Sequence, residues 1–223
     1  MKKLGIIHTT PVTIETLKKL AADIMPDCEI INIMDDTILP ELNQNGGDIE
    51  AVRPRWESYA KSMEASGADA VLSACSSVGD LTVIIQPNMK VPVLRIDEAM
   101  ADYAIKNASR IGVAATLPTT LKPTMNLLKQ KAAKAGKQVE FVKQVATGAY
   151  QKLMAGDSEG HDEELSEVLG QLARETEVVI LAQASMARVV QTLPEKEQGR
   201  FLTSPQLGME CVKERLYQSY RGE

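Results

Sequence analysis

Aromatic residues make up only 4% of the chain, with a single tryptophan, so there is little from which to build a stacking platform for nucleic-acid bases. Net charge is −5 and no basic block occurs. The electrostatic footprint of phosphate-backbone binding is therefore missing, and no nucleic-acid partner is expected. No apolar run approaches the roughly 20 residues of a membrane span. The opening MKKLGIIHTTP starts like a signal peptide, but Pro11, Thr13 and Glu15 break the apolar run too early. These absences predict a cytoplasmic protein with no membrane partner. The three cysteines, Cys28, Cys75 and Cys211, are odd in number and far apart, which excludes a CxxC pair and a disulfide framework. Asp35-Asp36 has no histidine or third acid at ligand spacing, so no metal is expected.

What is present is an ordinary globular composition, 44% apolar and 25% charged over 223 residues. That length suits one large domain or two lobes of about a hundred residues each. Apolar runs of strand length lie at Leu4–Ile7, Glu29–Ile33, Ala70–Ala74, Val91–Ile96, Ile111–Ala115, Val139–Val142, Val178–Ala182 and Phe201–Thr203. Helical patterns fall between most of them, such as Ile14, Leu17, Ala21, Ile24 and Leu165, Val168, Leu169, Leu172. Thr10-Pro11 and Asp157-Ser158 read as helix starts. The segment Pro40–Asp48 reads as a polar loop able to act as a lid. Alternation with strands apolar on both faces predicts an α/β fold with mainly parallel sheets flanked by helices.

The chain also contains itself. Gly5, Thr9, Pro11, Thr13 and Leu20 recur as Gly112, Thr116, Pro118, Thr120 and Leu127, each offset by 107 positions with no gap. In a second alignment, offset by 108, Ala74 falls on Ala182, Ser77 on Ser185 and Cys75 on Gln183. A register kept over separate segments indicates an internal duplication. Two pseudo-symmetric lobes follow: residues 1–105 with 206–223, carrying Cys75, and residues 106–205, carrying Gln183. In open α/β sheets ligands bind beyond the carboxyl ends of the strands. The active site is thus expected in a cleft between the lobes, with Cys75 and Gln183 opposed.

With its first-strand glycine and polar turn (Gly5 to Thr10), ACSS (Ala74 to Ser77), IGVAAT (Ile111 to Thr116) and ILAQASM (Ile180 to Met186), the chain resembles the aspartate/glutamate/hydantoin racemase superfamily. Other branches of that superfamily include arylmalonate decarboxylase and maleate isomerase. The resemblance implies two lobes in pseudo-twofold relation, no pyridoxal phosphate or other cofactor, and no metal. It further implies a small carboxylate substrate whose α-carbon lies between two cysteines, one per lobe. Cys75 matches the first; Gln183 stands at the second.

Removing a proton beside a carboxylate calls for a base and for donors aimed at the growing charge. Cys75 is the candidate acid/base or nucleophile, because the thiolate is reactive and is favoured by a helix N-terminus or nearby donors. Ser76-Ser77-Val78-Gly79 reads as a turn opening a helix. Candidate substrate-binding residues are Thr9, Thr10, Ser76 and Ser77 in the first lobe and Thr116, Thr119, Thr120 and Ser185 in the second. Thr13 and Thr120 also fit as helix caps. A glutamine hydrogen-bonds but does not deliver a proton as a thiol does, so Gln183 counts against a two-thiol racemase. Three one-cysteine schemes remain: protonation of one face after C–C cleavage, covalent addition to an unsaturated diacid, or proton transfer shared with another base.

His8 is the candidate for that base, and a Cys75–His8 pair would equally suit a thiol hydrolase. His161, among Glu159, Asp162, Glu163 and Glu164, reads as part of a solvated acidic helix start. Arg53 and Arg95 read as surface residues, and Cys28 and Cys211 as core. The functional expectation is a cofactor-independent, racemase-like isomerase. A lyase or decarboxylase, a Cys–His hydrolase and a non-catalytic carboxylate-binding protein are the alternatives. A homodimer is the expected assembly, as the commonest symmetric one.

Overall fold

The computed structural model describes residues 1–218, apart from the side chains of Ser185 and Gln218; the tail 219–223 of the segment assigned to the first lobe lies outside the described residues. The elements run β1 (Lys2–His8), α1 (Val12–Ile24), β2 (Cys28–Met34), α2 (Ile38–Gln44), α3 (Arg53–Ala65), β3 (Ala70–Ser73), α4 (Asp80–Ile85), β4 (Val93–Arg95), α5 (Glu98–Asn107), β5 (Arg110–Ala115), α6 (Pro118–Lys134), β6 (Glu140–Val145), α7 (Thr147–Met154), α8 (Ser158–Glu175), β7 (Val178–Leu181), α9 (Ala187–Val190), α10 (Glu195–Gln198), β8 (Phe201–Leu202) and α11 (Ser204–Gln218). Short 3₁₀ turns lie at Ser76–Val78, Gln86–Asn88 and Ala184–Met186. Among the described residues no helix is long and apolar enough to cross a membrane.

The strands form two four-stranded sheets, ordered β2-β1-β3-β4 and β6-β5-β7-β8. Every pairing is parallel. The two sheets repeat one register. Gly5 pairs with Val71 and Gly112 with Val179, while Leu72 pairs with Leu94 and Ile180 with Leu202. The repeated glycines share a reason. A Cβ on Gly5 would lie 2.4 Å from Met63 Sδ, and one on Gly112 would lie 2.9 Å from Thr176 Oγ1. A helix, α3 or α8, packs against the strand at each place, and only the absence of a side chain lets it come so near.

The chain divides into two compact units, Met1–Glu98 with Pro205 onward, and Ala99–Ser204. In unit 1, alternate β1 residues serve two layers. Leu4 and Ile6 join Leu17 and Ala21 of α1 and Met209, Val212 and Leu216 of α11. Ile7 joins Trp56, Ala60 and Met63 of α3 and Leu81 and Ile85 of α4. In unit 2, Ala114, Val179 and Leu181 pack against Leu165, Leu169 and Leu172 of α8. Both faces of each sheet are covered, which is why these strands read as apolar runs rather than alternating ones.

Two local readings need correction. Pro40–Asp48 is not a loop throughout: residues to Gln44 belong to α2, whose Ile38 and Leu42 are buried. Burial of these two side chains is what holds it as a helix. The turn that follows uses left-handed Gly46 and Gly47, with Asn45 Oδ1 accepting from Gly47 N and Asp48 N. At the start of α1, Pro11 occupies the cap position and no side chain caps it. The start of α8 follows the sequence signal, since Asp157 Oδ1 accepts from Gly160 N at 2.9 Å.

Helix α11 lies close to the chain just after β4. A Cβ on Gly208 would stand 2.2 Å from the Ile96 carbonyl oxygen and 2.7 Å from Ile96 Cδ1. Alanine would favour the helix by about 1 kcal/mol, but it would force apart two backbone segments. Overpacking of that kind costs about 1–3 kcal/mol. Gly208→Ala is therefore expected to lower the free energy of unfolding, as read by urea denaturation, despite its better helix propensity.

Candidate functional site

In unit 1 the carboxyl ends of β1 and β3 lie side by side. The register stops at Ile7 opposite Ser73. Continued by two residues, it sets Thr9 beside Cys75 on the sheet face that carries Ile7 and Val71. Cys75 is half-buried, extended at φ −130° and ψ 119°, and packed against the α3–α4 layer. Its carbonyl accepts from Ser73 Oγ at 3.3 Å. The turn beyond it is not the start of a long helix. It is the 3₁₀ turn Ser76–Val78 followed by the six-residue α4, too short to develop much of a macrodipole. Ser77 is buried and Ser76 half-buried. Thr9 is only 2% exposed, and its Oγ1 has no hydrogen-bond partner among the described residues. Thr10 is half-buried, and its carbonyl oxygen lies 3.3 Å from Thr13 Oγ1.

His8 faces the other side of the strand and is fully buried. Its Nε2 lies 2.9 Å from Asn32 Oδ1 and its Nδ1 2.8 Å from Thr13 Oγ1. The amide oxygen can only accept, so Nε2 carries the proton and Nδ1 accepts from the Thr13 hydroxyl. Burial pushes the imidazole below its ordinary value, and the Asn32 bond opposes that only in part. Both ring nitrogens are therefore spoken for, on the face away from Cys75. Thr13 is correspondingly a partner of His8 and not a cap.

Arg95 is buried rather than on the surface. Its Nε and Nη2 donate to the two carboxylate oxygens of Asp97 at 2.7 and 3.0 Å, and its Nη1 donates to Asp80 at 2.7 Å. Burial opposes the charge, but Asp97 and Asp80 outweigh it and hold the guanidinium above its ordinary value. This cluster clamps the first residue of α4, five positions after Cys75. Gly79 makes room for it: a Cβ there would lie 2.5 Å from the guanidinium carbon. Arg53, by contrast, is on the surface and pairs with Glu50. The Asp35 carboxylate is taken up by Thr37, Tyr59 and Arg55.

Unit 2 repeats the arrangement with other residues. Gln183 follows β7 in the same extended conformation, φ −130° and ψ 134°, before the 3₁₀ turn Ala184–Met186. Its Oε1 accepts from Thr116 N at 2.7 Å and from Thr116 Oγ1 at 2.9 Å. Thr116 is buried, so the donors expected to hold substrate are engaged by the chain itself. Thr119 and Thr120 lie in the first turn of α6, whose cap is Leu117. Thr120 is buried. The Ser185 side chain lies outside the described residues. His161 is not solvated: it is 1% exposed, with Nδ1 2.6 Å from Asp162 Oδ1 and 3.3 Å from Arg188 Nη2. Asp162 also pairs with Arg188 at 2.7 Å. The acidic run around His161 hid this, because only one face of α8 is wet.

Residues 4–212 match the sequence profile of the family described as Asp/Glu/Hydantoin racemase. The chain belongs to the Asp/Glu/hydantoin racemase family. It is thereby a member of a family of isomerases. No curated protein is significantly similar to it in sequence. Its fold is that of an aspartate racemase from Picrophilus torridus, with a TM-score of 0.73, 19% identity, and coverage of 99% of this chain and 98% of that one. A glutamate racemase from Bacillus anthracis superposes with a TM-score of 0.77 at 16% identity, covering 98% of this chain and 82% of that one. For an allantoin racemase from Klebsiella pneumoniae the values are 0.69, 17%, 98% and 89%.

Within this family member, two side chains around the Cys75 turn can be tested for the roles their geometry gives them. Arg95→Met leaves Asp97, fully buried, without its bidentate partner. A stability loss of about 3–5 kcal/mol is expected, and adding Asp97→Asn should recover much of it in urea denaturation. For His8 the sign is worked from protons. The unfolded imidazole titrates near the ordinary 6.5, while the folded one titrates lower. Between those values the unfolded state binds more protons. His8 therefore contributes a stability that is whole above 6.5 and is lost as pH falls through the folded value. Wild type should weaken from neutral to mildly acidic pH more than His8→Gln does, and the His8 proton resonances should titrate below 6.5.

Proposed function

We propose that the protein is a cofactor-independent, racemase-like isomerase working through one thiol, with Cys75 as the acid/base at the carbon beside the carboxylate of a small acid or amino acid. The observation that carries the reading is a half-buried thiol at the carboxyl end of a parallel strand, where open α/β sheets bind their ligands. A buried hydroxyl without a partner among the described residues stands at the neighbouring strand end, and family membership supplies the reaction class. In the proposed step the Cα–H bond breaks, the S–H bond of Cys75 forms from its thiolate, and the electron pair moves onto the carboxylate; a solvent water then protonates Cα on the opposite face, and the hydroxide it leaves takes the proton from Cys75, restoring the thiolate. Donors near that carboxylate lower the barrier as its charge grows. Thr9, Thr10, Ser76 and Ser77 are the donors proposed from unit 1.

A second reading is favoured by one observation. Gln183 replaces the second thiol that the family resemblance implies, and its amide cannot hand over a proton. A lyase needs a proton on one face only: a carbon–carboxylate bond breaks, carbon dioxide leaves, and Cys75 protonates the resulting carbanion. His8, with both nitrogens bonded, gives no support to a thiol–imidazole hydrolase.

Incubation in D₂O with amino acids, hydroxy acids and diacids should introduce deuterium at the α-carbon of one class. Cys75→Ser should reduce that rate by about 100-fold or more. Exchange that survives Cys75→Ser undiminished would remove Cys75 from the chemistry. Carbon dioxide release that depends on Cys75, without exchange, would establish the lyase instead.

A further inference from the structure

The two units support their strand-end turns in different ways. Val71 and Val93 pair across β3 and β4 and face the α3–α4 layer. Ser73 and Arg95, the next residues on that face, also pair. Cys75 follows two positions later, packed against the same layer. The Arg95 guanidinium thus lies on the thiol's side of the sheet. It holds Asp97 by both oxygens and reaches Asp80 with Nη1. It also fills the space where a side chain at position 79 would stand: a Cβ there would lie 2.5 Å from the guanidinium carbon and 2.8 Å from Nε. The turn is therefore fixed at both ends. Ser73 Oγ donates to the Cys75 carbonyl at 3.3 Å. Arg95 backs Gly79, whose carbonyl accepts from Thr82 Oγ1 at 2.7 Å.

Unit 2 builds the same turn with other residues at these positions. Its pairs Val179–Phe201 and Ile180–Leu202 are the counterparts of Val71–Val93 and Leu72–Leu94. One step on, Leu181 and Thr203 stand where unit 1 has Ser73 and Arg95. The ion pair of unit 2 is partly in water, with Arg188 48% and Asp162 27% exposed. Arg95 is 4% exposed and Asp97 not at all. A buried ion cluster must overcome the desolvation of its charges and gives little net stability. The duplicate reaches the same fold with Leu181 and Thr203 in those places. The buried cluster stands in the unit that carries the thiol.

We infer that Arg95 is a positioning residue for the Cys75 thiol, acting through Gly79 and Asp80 on the Ser76–Gly79 turn. The inference rests on the proposed function for the use made of the thiol, but not for the thiol's place. Each nitrogen of the guanidinium donates to a carboxylate, so its part is to hold the chain and not a substrate. The planar fork suits that part, because it grips one carboxylate at two points and still reaches a second. Through it the end of β4, the residue after Ile96 and the first residue of α4 move as one body. A reacting group misplaced by about 1 Å can cost about 100-fold in rate. A turn backed by only the six residues of α4 is where such support matters.

The test follows alkylation by iodoacetamide in the full-length protein at neutral pH, read separately at Cys28, Cys75 and Cys211 by peptide mass spectrometry. Two variants release the turn in different ways. Arg95→Met combined with Asp97→Asn removes the buried charges together. Gly79→Ala keeps the charges and pushes on the guanidinium. In each, Cys75 should be labelled about threefold faster than in wild type, as a locally opened turn exposes it, while Cys28 and Cys211 keep their rates. For the acid that exchanges in D₂O, kcat should fall about tenfold or more with KM little changed. A general loosening speeds all three thiols. That result, a Cys75 rate equal to wild type in the folded variants, or an unchanged kcat where exchange depends on Cys75, overturns the inference. Wild type supplies a reading of its own. The Gly79 amide donates to the Ser76 carbonyl at 3.1 Å and should resist hydrogen exchange as the β3 amides do. Exchange at the rate of an open turn overturns the inference whether or not a variant folds. The two proposals fail separately. If α-exchange ignores Cys75→Ser while both variants speed labelling of Cys75 alone, the positioning stands and the catalytic reading falls. If exchange needs Cys75 and its labelling ignores both variants, the reverse holds.

Discussion

Parallel pairing of each unit's central strand is the constraint from which the rest follows. Because β1 runs parallel to β2 and β3, and β5 to β6 and β7, all carboxyl ends in a sheet meet on one edge. Parallel connections must cross over a face, so helices cover both faces and the strand interiors are apolar. Polar side chains gather at and just beyond the last paired residues. That is where Thr9, Cys75, Thr116 and Gln183 lie. The fixed register also decides which of them share a face: Thr9 falls with Cys75 while His8, one residue earlier, is turned into the opposite layer. A single position of slip would exchange the two and put an imidazole beside the thiol.

The same constraint explains how the two units could diverge without losing their shape. Cys75 and Gln183 have nearly the same backbone conformation, and each is followed by a 3₁₀ turn and a short helix. The helix is anchored by an ion pair in both cases, with the charges reversed. Asp80 of α4 receives Arg95 from β4, whereas its duplicate, Arg188 of α9, pairs with Asp162 from α8. The two anchors are built from different elements, so neither could have been inferred by copying the other. What is common is the need to hold a turn that has little helix behind it.

Legibility in the sequence follows from the kind of interaction involved. Strands β1, β3, β5 and β7 were readable because burial on both faces leaves continuous apolar runs, and the repeat because glycines at close helix–strand contacts and threonines at strand ends kept one offset. Readings that depend on partners far along the chain were not accessible. Arg95 and His161 look like surface residues among acids, yet each is buried by neighbours supplied by other elements. Pro40–Asp48 looks like a loop by composition, but burial of Ile38 and Leu42 makes most of it helical. At the site, position 183 was identifiable by alignment with Cys75. The Thr116–Gln183 bond was not, since it needs the parity of two strands and the reach of one side chain together.

That last point bears on why a glutamine occupies position 183. A small or apolar residue there would leave the Thr116 N–H and hydroxyl buried without an acceptor, at about 1–3 kcal/mol for each unmet group. A carboxylate of suitable length would reach them but would bring a charge whose desolvation must be met at the same place. The carboxamide reaches both donors with one oxygen and carries no charge. Glutamine is thus one of few residues at position 183 that settles the local hydrogen bonding. A thiol placed at position 183 would therefore have to supply a new acceptor for Thr116 before it could add any chemistry.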